Sequence, residues 1–261
     1  MSGRTQAATV RHGIWSSVTG PEDGPTVVLV HGSMDRSTGL SRLARRVDED
    51  HRVLRLDRRG YGRSSEHPGP FTVADHVADL LTVIDDRLDG RPLHLFGHSF
   101  GGNVALAAST HLGDRVRSVT IYESPLSWME WWPGGSAKAF AESEPADAAE
   151  AFMRRLIGDE RWERLPERTR AERRSEGPVL VGELTDLRRH APWRAEQILS
   201  PVVAMAGSRG ADHHRRAATF LAEVLPRCRS VEIEGARHFG PNTHPDEVAD
   251  VLRDHIVASG A

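Results

Sequence analysis

The stretch that most constrains this chain is GHSFGG, residues 97–102, because it joins an apolar run to a helical pattern. Residues 93–96 read LHLF, which is typical of a buried strand, and residues 100–112 predict a helix. A G-x-S-x-G sequence between a strand and a helix indicates a tight turn that projects the serine hydroxyl from the carboxyl edge of a sheet. Gly97 and Gly101 suit this turn because a side chain there would collide with the neighbouring strand and helix. The turn predicts Ser99 as a nucleophile, with the backbone N–H of Phe100 as one donor to an oxyanion.

Short apolar runs bounded by turn residues predict six buried strands. Their apolar residues are continuous rather than alternating, which is typical of parallel strands covered on both faces. Helical patterns separate most of the runs, so the predicted fold class is α/β, a mostly parallel, doubly wound sheet with right-handed crossovers. The residues before the first run can add one or two antiparallel edge strands. The predicted strands are 26–30, 52–57, 93–96, 116–123, 201–207 and 230–235, and the main helices are 72–88, 100–112, 217–225 and 245–257.

Residues 126–195 do not fit this alternation, because they carry helical patterns and no convincing strand. Such an excess between two strands is best explained by an inserted helical cap, or lid. Helices are expected over residues 145–158, 168–177 and 179–189. We therefore predict a core made of residues 1–125 and 196–261, with the cap over 126–195.

The composition is that of a soluble globular protein, with 38% hydrophobic residues, 27% charged residues and a net charge of −3. This balance gives no indication of a nucleic-acid or membrane partner, and the expected partner is a small-molecule substrate. The N-terminal residues lack an apolar stretch, so a cytoplasmic protein is expected. Cys228 is the only cysteine, and the histidine spacing does not favour a metal site, so no metal or cofactor is predicted. Monomer and homodimer both remain open.

Four segments resemble the α/β-hydrolase family in the family's own order: VVLVHGS, RLDRRGYGRSS, LFGHSFGG and GARHFG. The resemblance covers nearly the whole chain and implies the α/β-hydrolase fold with a cap. It implies that His238, on the loop after the last strand, is the general base for Ser99. It also implies that the N–H of Ser33, with Met34 as the alternative, is the second oxyanion donor. Asp57 and Arg58, in the turn after the family's fourth strand, are expected to be structural.

The acid that should orient His238 is the open question. Most members of the family carry an aspartate in a Gly-x-x-Asp pattern after the seventh strand, but here Gly210 occupies that position. Asp212 follows two residues later and could move into place. Glu123 ends the predicted sixth strand beside the nucleophile strand, and some α/β-hydrolases place their acid there. Glu123 is the favoured acid because a strand end holds a carboxylate more rigidly than a loop does.

Tryptophans at the start of the cap indicate an apolar wall above Ser99. Trp128, Trp131 and Trp132, together with Met34, are the candidate substrate-binding residues. A serine in the turn excludes reactions that need a carboxylate nucleophile there, which leaves acyl transfer to water. We expect a serine hydrolase that acts on an ester or thioester of a small, largely apolar substrate. A carbon–carbon bond hydrolase, a perhydrolase-like enzyme and a non-catalytic ligand-binding protein remain alternatives.

Overall fold

Eight strands form the central sheet of the computed structural model, which describes residues 6–133 and 143–260. They are β1 (Gln6–Arg11), β2 (Ile14–Thr19), β3 (Thr26–Val30), β4 (Arg52–Leu56), β5 (Leu93–His98), β6 (Val116–Tyr122), β7 (Val202–Gly207) and β8 (Cys228–Ile233). The strand order is β1-β2-β4-β3-β5-β6-β7-β8. At one edge, β1 pairs antiparallel with β2 and β2 pairs antiparallel with β4. Every pair from β4–β3 to β7–β8 is parallel. The predicted mostly parallel α/β sheet is confirmed.

Helices cover both faces of this sheet. Five flank the strands: α1 (Ser41–Val47), α2 (Val73–Arg87), α3 (Phe100–Leu112), α8 (Asp212–Val224) and α10 (Pro245–Ala258), with a short α9 (Gly240–Thr243) before the last. The sheet divides the buried side chains into two layers, since neighbouring residues of a strand point to opposite faces. Leu95 of β5 packs in one layer and Phe96 in the other. Both are fully buried, and burying a side chain of this size stabilises the fold by about 2 kcal/mol.

Local sequence accounts for two of the boundaries. The predicted edge strands form a hairpin whose turn, His12 and Gly13, has φ values of 50° and 75°, the left-handed pair that a two-residue hairpin requires. Helix α2 begins after a capping box in which Asp75 N–H donates to Thr72 Oγ1 at 3.2 Å, and Thr72 N–H donates to Asp75 Oδ2 at 3.1 Å. Helix α8 begins at Asp212, five residues before its predicted start. The prediction placed the start too late because the first turn of the helix is polar and shows no apolar stripe.

Four helices of the described residues lie between β6 and β7, as the predicted helical insertion requires. They are α4 (Pro145–Ile157), α5 (Asp159–Glu163), α6 (Glu167–Ser175) and α7 (Gly177–Arg189). The short α5 was not predicted, and its Trp162 is buried. The exact limits of the cap, 126–195, stay a prediction, and residues 134–142, which include Phe140, lie outside the described part of the chain. Among the described helices, none is long and apolar enough to cross a bilayer.

Candidate active site

Ser99 lies in the turn between β5 and α3 with φ 52° and ψ −126°, a conformation that a serine rarely adopts. Such a backbone costs roughly 1–3 kcal/mol and persists only where the surroundings hold it. The Ser99 N–H donates to Tyr122 O at 2.8 Å, and Gly102 N–H donates to Ser99 O at 2.9 Å. A Cβ on Gly101 would lie 2.4 Å from Val30 O, so only glycine lets the helix approach β3 this closely. The predicted tight turn is therefore present.

Glu123 and His238 form a polar contact in the wall of a cavity that Ser99 also borders. Glu123 Oε2 accepts a hydrogen bond from His238 Nδ1 at 2.7 Å, and Glu123 Oε1 accepts one from Gly207 N–H at 3.0 Å. The Glu123 side chain is fully buried, and its φ of 46° turns the chain inward directly after β6. Both carboxylate oxygens are thus occupied, and the bond to Nδ1 leaves Nε2 as the basic nitrogen of His238.

Asp212 occupies a different environment. It is the first residue of α8, its side chain is 94% exposed, and it forms an ion pair with Arg215. Gly210 occupies the position of the missing aspartate, and a Cβ there would lie only 2.3 Å from Glu123 Oε1. A residue with a side chain at this position would therefore collide with the Glu123 carboxylate. The structure thus brings Glu123 to His238 and leaves Asp212 in solvent, although the role of the triad acid stays a prediction.

The segment 31–34 carries the predicted oxyanion donor. His31 Nδ1 contacts Gly32 O at 2.8 Å, and Arg58 N–H donates to His31 Nε2 at 2.9 Å. Burial, followed by the Arg58 charge, lowers the pKa of His31 well below its usual value, so the ring is neutral. The neutral tautomer with Nδ1–H therefore satisfies both bonds. Ser33 borders the same cavity as Ser99. The roles of the Ser33, Phe100 and Met34 N–H groups as oxyanion donors stay predictions.

Two cavity lobes meet at Ser99. Lobe 1 has a volume of about 410 Å³ and lobe 2 about 560 Å³, and both are bordered by Ser33, Ser99 and His238. Lobe 1 contacts Met34 and a set of apolar cap side chains that includes Met153, Ile157 and Leu165. Lobe 2 is bordered by four arginines, Arg155, Arg188, Arg209 and Arg237, and Glu123 is the one carboxylate among its described lining residues. Among the described residues, lobe 1 is bordered by three arginines, Arg42, Arg161 and Arg173, and by Asp35, so arginine outnumbers carboxylate in the lining of both lobes.

The three predicted tryptophans do not share one location. Trp132 borders lobe 2. Trp128 packs edge-on against Trp193 at 5.5 Å between ring centroids, and Trp131 packs against Phe220 at 6.1 Å. Both tryptophans also pack against the main buried cluster of the core, so they hold the start of the cap in place, and neither borders a lobe. Substrate binding by Trp128 and Trp131 stays a prediction, and the cavity lining does not support it.

Further histidine rings surround His238. His98 lies 4.9 Å and His214 lies 5.0 Å from it, centroid to centroid. Burial, with a contribution from His238, lowers the pKa of His98 to about 3 and that of His214 well below its usual value. Ligand atoms of Glu123, His214 and His238 lie within 4.8 Å of one another, a spacing that could hold a metal ion. However, the His214 and His238 rings are within 29° of parallel, so their in-plane lone pairs run side by side rather than converging.

Residues 27–251 match the model of the Alpha/beta hydrolase family. The chain belongs to the α/β-hydrolase family.

Relatives within and around this family carry different activities in their names. The chain is 33% identical over 100 residues to the 2-hydroxy-6-oxononadienedioate/2-hydroxy-6-oxononatrienedioate hydrolase of Escherichia coli O139:H28, a match that covers 37% of this chain and 35% of the relative. It is 37% identical over 111 residues to the "Probable oxidoreductase EphD" of Mycobacterium tuberculosis H37Rv, covering 41% of this chain and 19% of the relative. The chain thus spans between about a fifth and a third of these curated relatives.

Solved structures support the fold over the full length. A thermophilic esterase from Thermogutta terrifontis superposes with a TM-score of 0.74 at 21% identity, covering 100% of both chains. At this identity the likeness shows the α/β-hydrolase fold and not the substrate.

One buried residue of this α/β-hydrolase was missed from its sequence. Glu183 of α7 is fully buried, and Ser33 Oγ donates to its Oε2 at 2.5 Å. Tyr61 Oη donates to the same oxygen at 2.9 Å, and His76 Nε2 lies 2.9 Å from Oε1, which also pairs with Arg58. Burial alone would raise the pKa of Glu183, but Arg58 and His76 hold it at about 2. A glutamate on the apolar face of a predicted helix could have indicated such a buried contact.

Proposed function

We propose that this α/β-hydrolase transfers the acyl group of an ester or thioester to water through a covalent intermediate on Ser99. The observation that carries the proposal is the 2.7 Å contact between His238 Nδ1 and the buried Glu123 carboxylate, beside a serine held on a strained turn in the same cavity. These are the parts that nucleophilic catalysis by serine requires.

The reaction follows from these positions. Ser99 Oγ attacks the substrate carbonyl while His238 Nε2 takes its proton, and Glu123 stabilises the imidazolium that forms. The oxyanion accepts hydrogen bonds from the N–H groups of Ser33 and Phe100. His238 then protonates the leaving alcohol or thiol, and the acyl-enzyme remains. A water molecule, deprotonated by His238, attacks this intermediate and releases the acid and the free Ser99 hydroxyl.

Lobe 1 supports a small apolar acyl group, because methionine, leucine and isoleucine side chains contribute to its wall. The leaving group then extends into lobe 2. Since Phe100, Trp132, Phe152 and Phe239 all border this lobe, an aryl or extended alkyl leaving group fits there.

A panel of p-nitrophenyl esters of increasing acyl length tests the proposal. Wild-type protein should hydrolyse the short esters, and Ser99→Ala should reduce turnover by about 10³-fold or more, because the nucleophile is lost. A fluorophosphonate should label the wild type and not Ser99→Ala. Equal turnover by both proteins, with no labelling of the wild type, would overturn the enzymatic assignment and favour a ligand-binding protein.

A second candidate is the hydrolysis of a carbon–carbon bond in a substrate with a carboxylate. The four arginines around lobe 2 favour it, because guanidinium groups pair with carboxylates in a bidentate manner. The Escherichia coli relative is named for a dioate substrate, which agrees with this charge. Comparing a neutral ester with the half-ester of a dicarboxylic acid tests the preference for an anionic substrate on which this candidate depends: a KM for the half-ester lower by about 10-fold, and raised by Arg188→Met, would support it, and equal KM values would count against it.

A further inference from the structure

The loop that carries the predicted oxyanion donor is strained. Met34, directly after Ser33, has φ 56°, in the left-handed region that a side chain with a Cβ avoids. A loop in this conformation relaxes unless neighbouring groups hold it. The groups that touch Ser33 and Met34 therefore decide whether the Ser33 N–H stays directed at the cavity.

Two contacts from the cap reach these two residues. Ser33 Oγ donates to Glu183 Oε2 of α7 at 2.5 Å. Arg173 Nη1 of α6 donates to Met34 O at 2.9 Å and also pairs with Glu176 at 3.1 Å. The side chain of one loop residue and the carbonyl of the next are thus bound by separate helices of the cap.

The core side of the loop is held by Arg58. Its Nη2 donates to Gly32 O at 2.9 Å and its Nε donates to His31 O at 3.0 Å, while Nη1 pairs with Glu183. Glu183 is therefore bonded to Ser33 directly and to Gly32 through one guanidinium. The carboxylate connects the cap to the loop on both sides of the Gly32–Ser33 peptide.

We propose that Glu183 is a positioning residue that holds the oxyanion loop in its strained, donor-ready conformation, with Arg173 as its partner on the other side of Ser33. The oxyanion donor is then complete only when the cap is seated on the core. This inference rests on the proposed function, since it gives the Ser33 N–H a catalytic purpose.

Ser33→Ala is the sharpest test, because it keeps the backbone N–H and removes only the hydroxyl that reaches Glu183. We expect kcat for a p-nitrophenyl ester to fall by about 10- to 100-fold with KM within about twofold, since the oxyanion forms after substrate binding. The affinity for an alkyl boronic acid, which forms a tetrahedral anion on serine, should fall by the same factor.

Asp186→Ala is the matched control, because it breaks another contact of α7 with the core, the hydrogen bond that Val73 N–H donates to Asp186 Oδ2 at 2.9 Å, and leaves the contacts of residues 31–34 in place. Its kcat should stay within about threefold of wild type. An equal loss in Asp186→Ala and Ser33→Ala would mean that Glu183 only anchors the cap, and the proposal would be overturned.

Glu183→Met and its double variant with Ser33→Ala test whether the two side chains act together. The kcat of the double variant should be no lower than that of the more impaired single variant, because both substitutions break the same contact between Ser33 and Glu183. Additive losses would contradict the proposal. If Glu183→Met does not fold, Arg173→Met takes its place: a lower kcat together with faster exchange of the amides of residues 32–35 supports the proposal, and unchanged exchange contradicts it. KM is not the readout for this variant, because Arg173 also borders lobe 1.

Hydrogen exchange of the loop separates this proposal from the proposed function. The amides of residues 32–35 should exchange at least about 10-fold faster in Ser33→Ala than in wild type and Asp186→Ala, whether or not the wild type hydrolyses esters. Unchanged protection would overturn the positioning role. Absence of Ser99-dependent turnover together with faster exchange would instead remove only the proposed function.

Discussion

The ends of β6 and β7 lie side by side at the same edge of the sheet, yet they present different chemistry to His238. At the end of β6, the buried Glu123 turns inward and gives one oxygen to His238 and the other to the backbone of β7. At the end of β7, the chain presents Gly210 and an exposed Asp212 that pairs with Arg215. The β7 end has no room for an acid because the β6 carboxylate already fills the space.

This comparison explains the glycine at position 210. An L-residue there would place its Cβ 2.3 Å from Glu123 Oε1. The glutamate after β6 and the glycine after β7 thus form one arrangement rather than two independent differences from the family pattern. The comparison predicts that the two positions depend on each other.

Removing the β6 carboxylate should have the largest effect. Glu123→Ala should reduce kcat by about 10³- to 10⁴-fold, because His238 loses the group that fixes its tautomer and stabilises its charge. Adding Gly210→Asp to this variant places a carboxylate in the vacated space. The kcat of the double variant should be at least about 10-fold higher than that of Glu123→Ala. Steady-state ester hydrolysis by the single and double variants measures both changes. A double variant that folds and is less active than Glu123→Ala would show that the two strand ends are not interchangeable.

Filling the space at the β7 end should have an intermediate effect. Gly210→Ala forces its methyl group against Glu123 Oε1, which should displace the carboxylate and reduce kcat by about 10- to 100-fold with little change in KM. The shorter side chain of Glu123→Asp should relieve the collision in the double variant. Full activity of Gly210→Ala would contradict the tight contact between the two loops.

The histidines at the β7 side should give a smaller effect that depends on pH. Burial and the neighbouring His238 lower the pKa of His214 below its unfolded value, so the unfolded state binds more protons as pH falls. The stability present above pH 6.5 is therefore lost progressively below it, at up to about 1.4 kcal/mol per pH unit for one histidine. His214→Phe should flatten this slope in urea unfolding between pH 6.5 and 5. An unchanged slope would assign the loss of stability to other histidines, such as His98.

Much of this arrangement could be predicted from sequence because its signals are local. The strand, glycine turn and helix around Ser99, and the order of the apolar runs, depend on neighbouring residues. The missing aspartate at position 210 was also visible, but the choice between Glu123 and Asp212 depended on the left-handed backbone of Glu123 and the space beside it, which no local pattern reports.

The cap shows the limit more clearly. Glu183 lies on a helix that was predicted, but its contacts with Ser33, Tyr61 and Arg58 join residues more than 120 positions apart. For the tryptophans, the sequence predicted substrate contacts that the cavity lining supports only for Trp132. An aromatic cluster near the site indicates a substrate wall and an interface between cap and core equally well. Only the packing of Trp128 and Trp131 against the buried side chains of the core distinguishes them.

The smallest effect is expected from Asp212→Asn, which changes an exposed side chain and should alter kcat by less than about twofold. It is the matched control for the central claim that Glu123 is the acid of the triad. The most direct measurement is the rate of acylation in single-turnover assays of Glu123→Gln and Asp212→Asn with the same p-nitrophenyl ester. The account predicts a loss of about 10³-fold or more in Glu123→Gln and almost none in Asp212→Asn. The reverse ranking would contradict it.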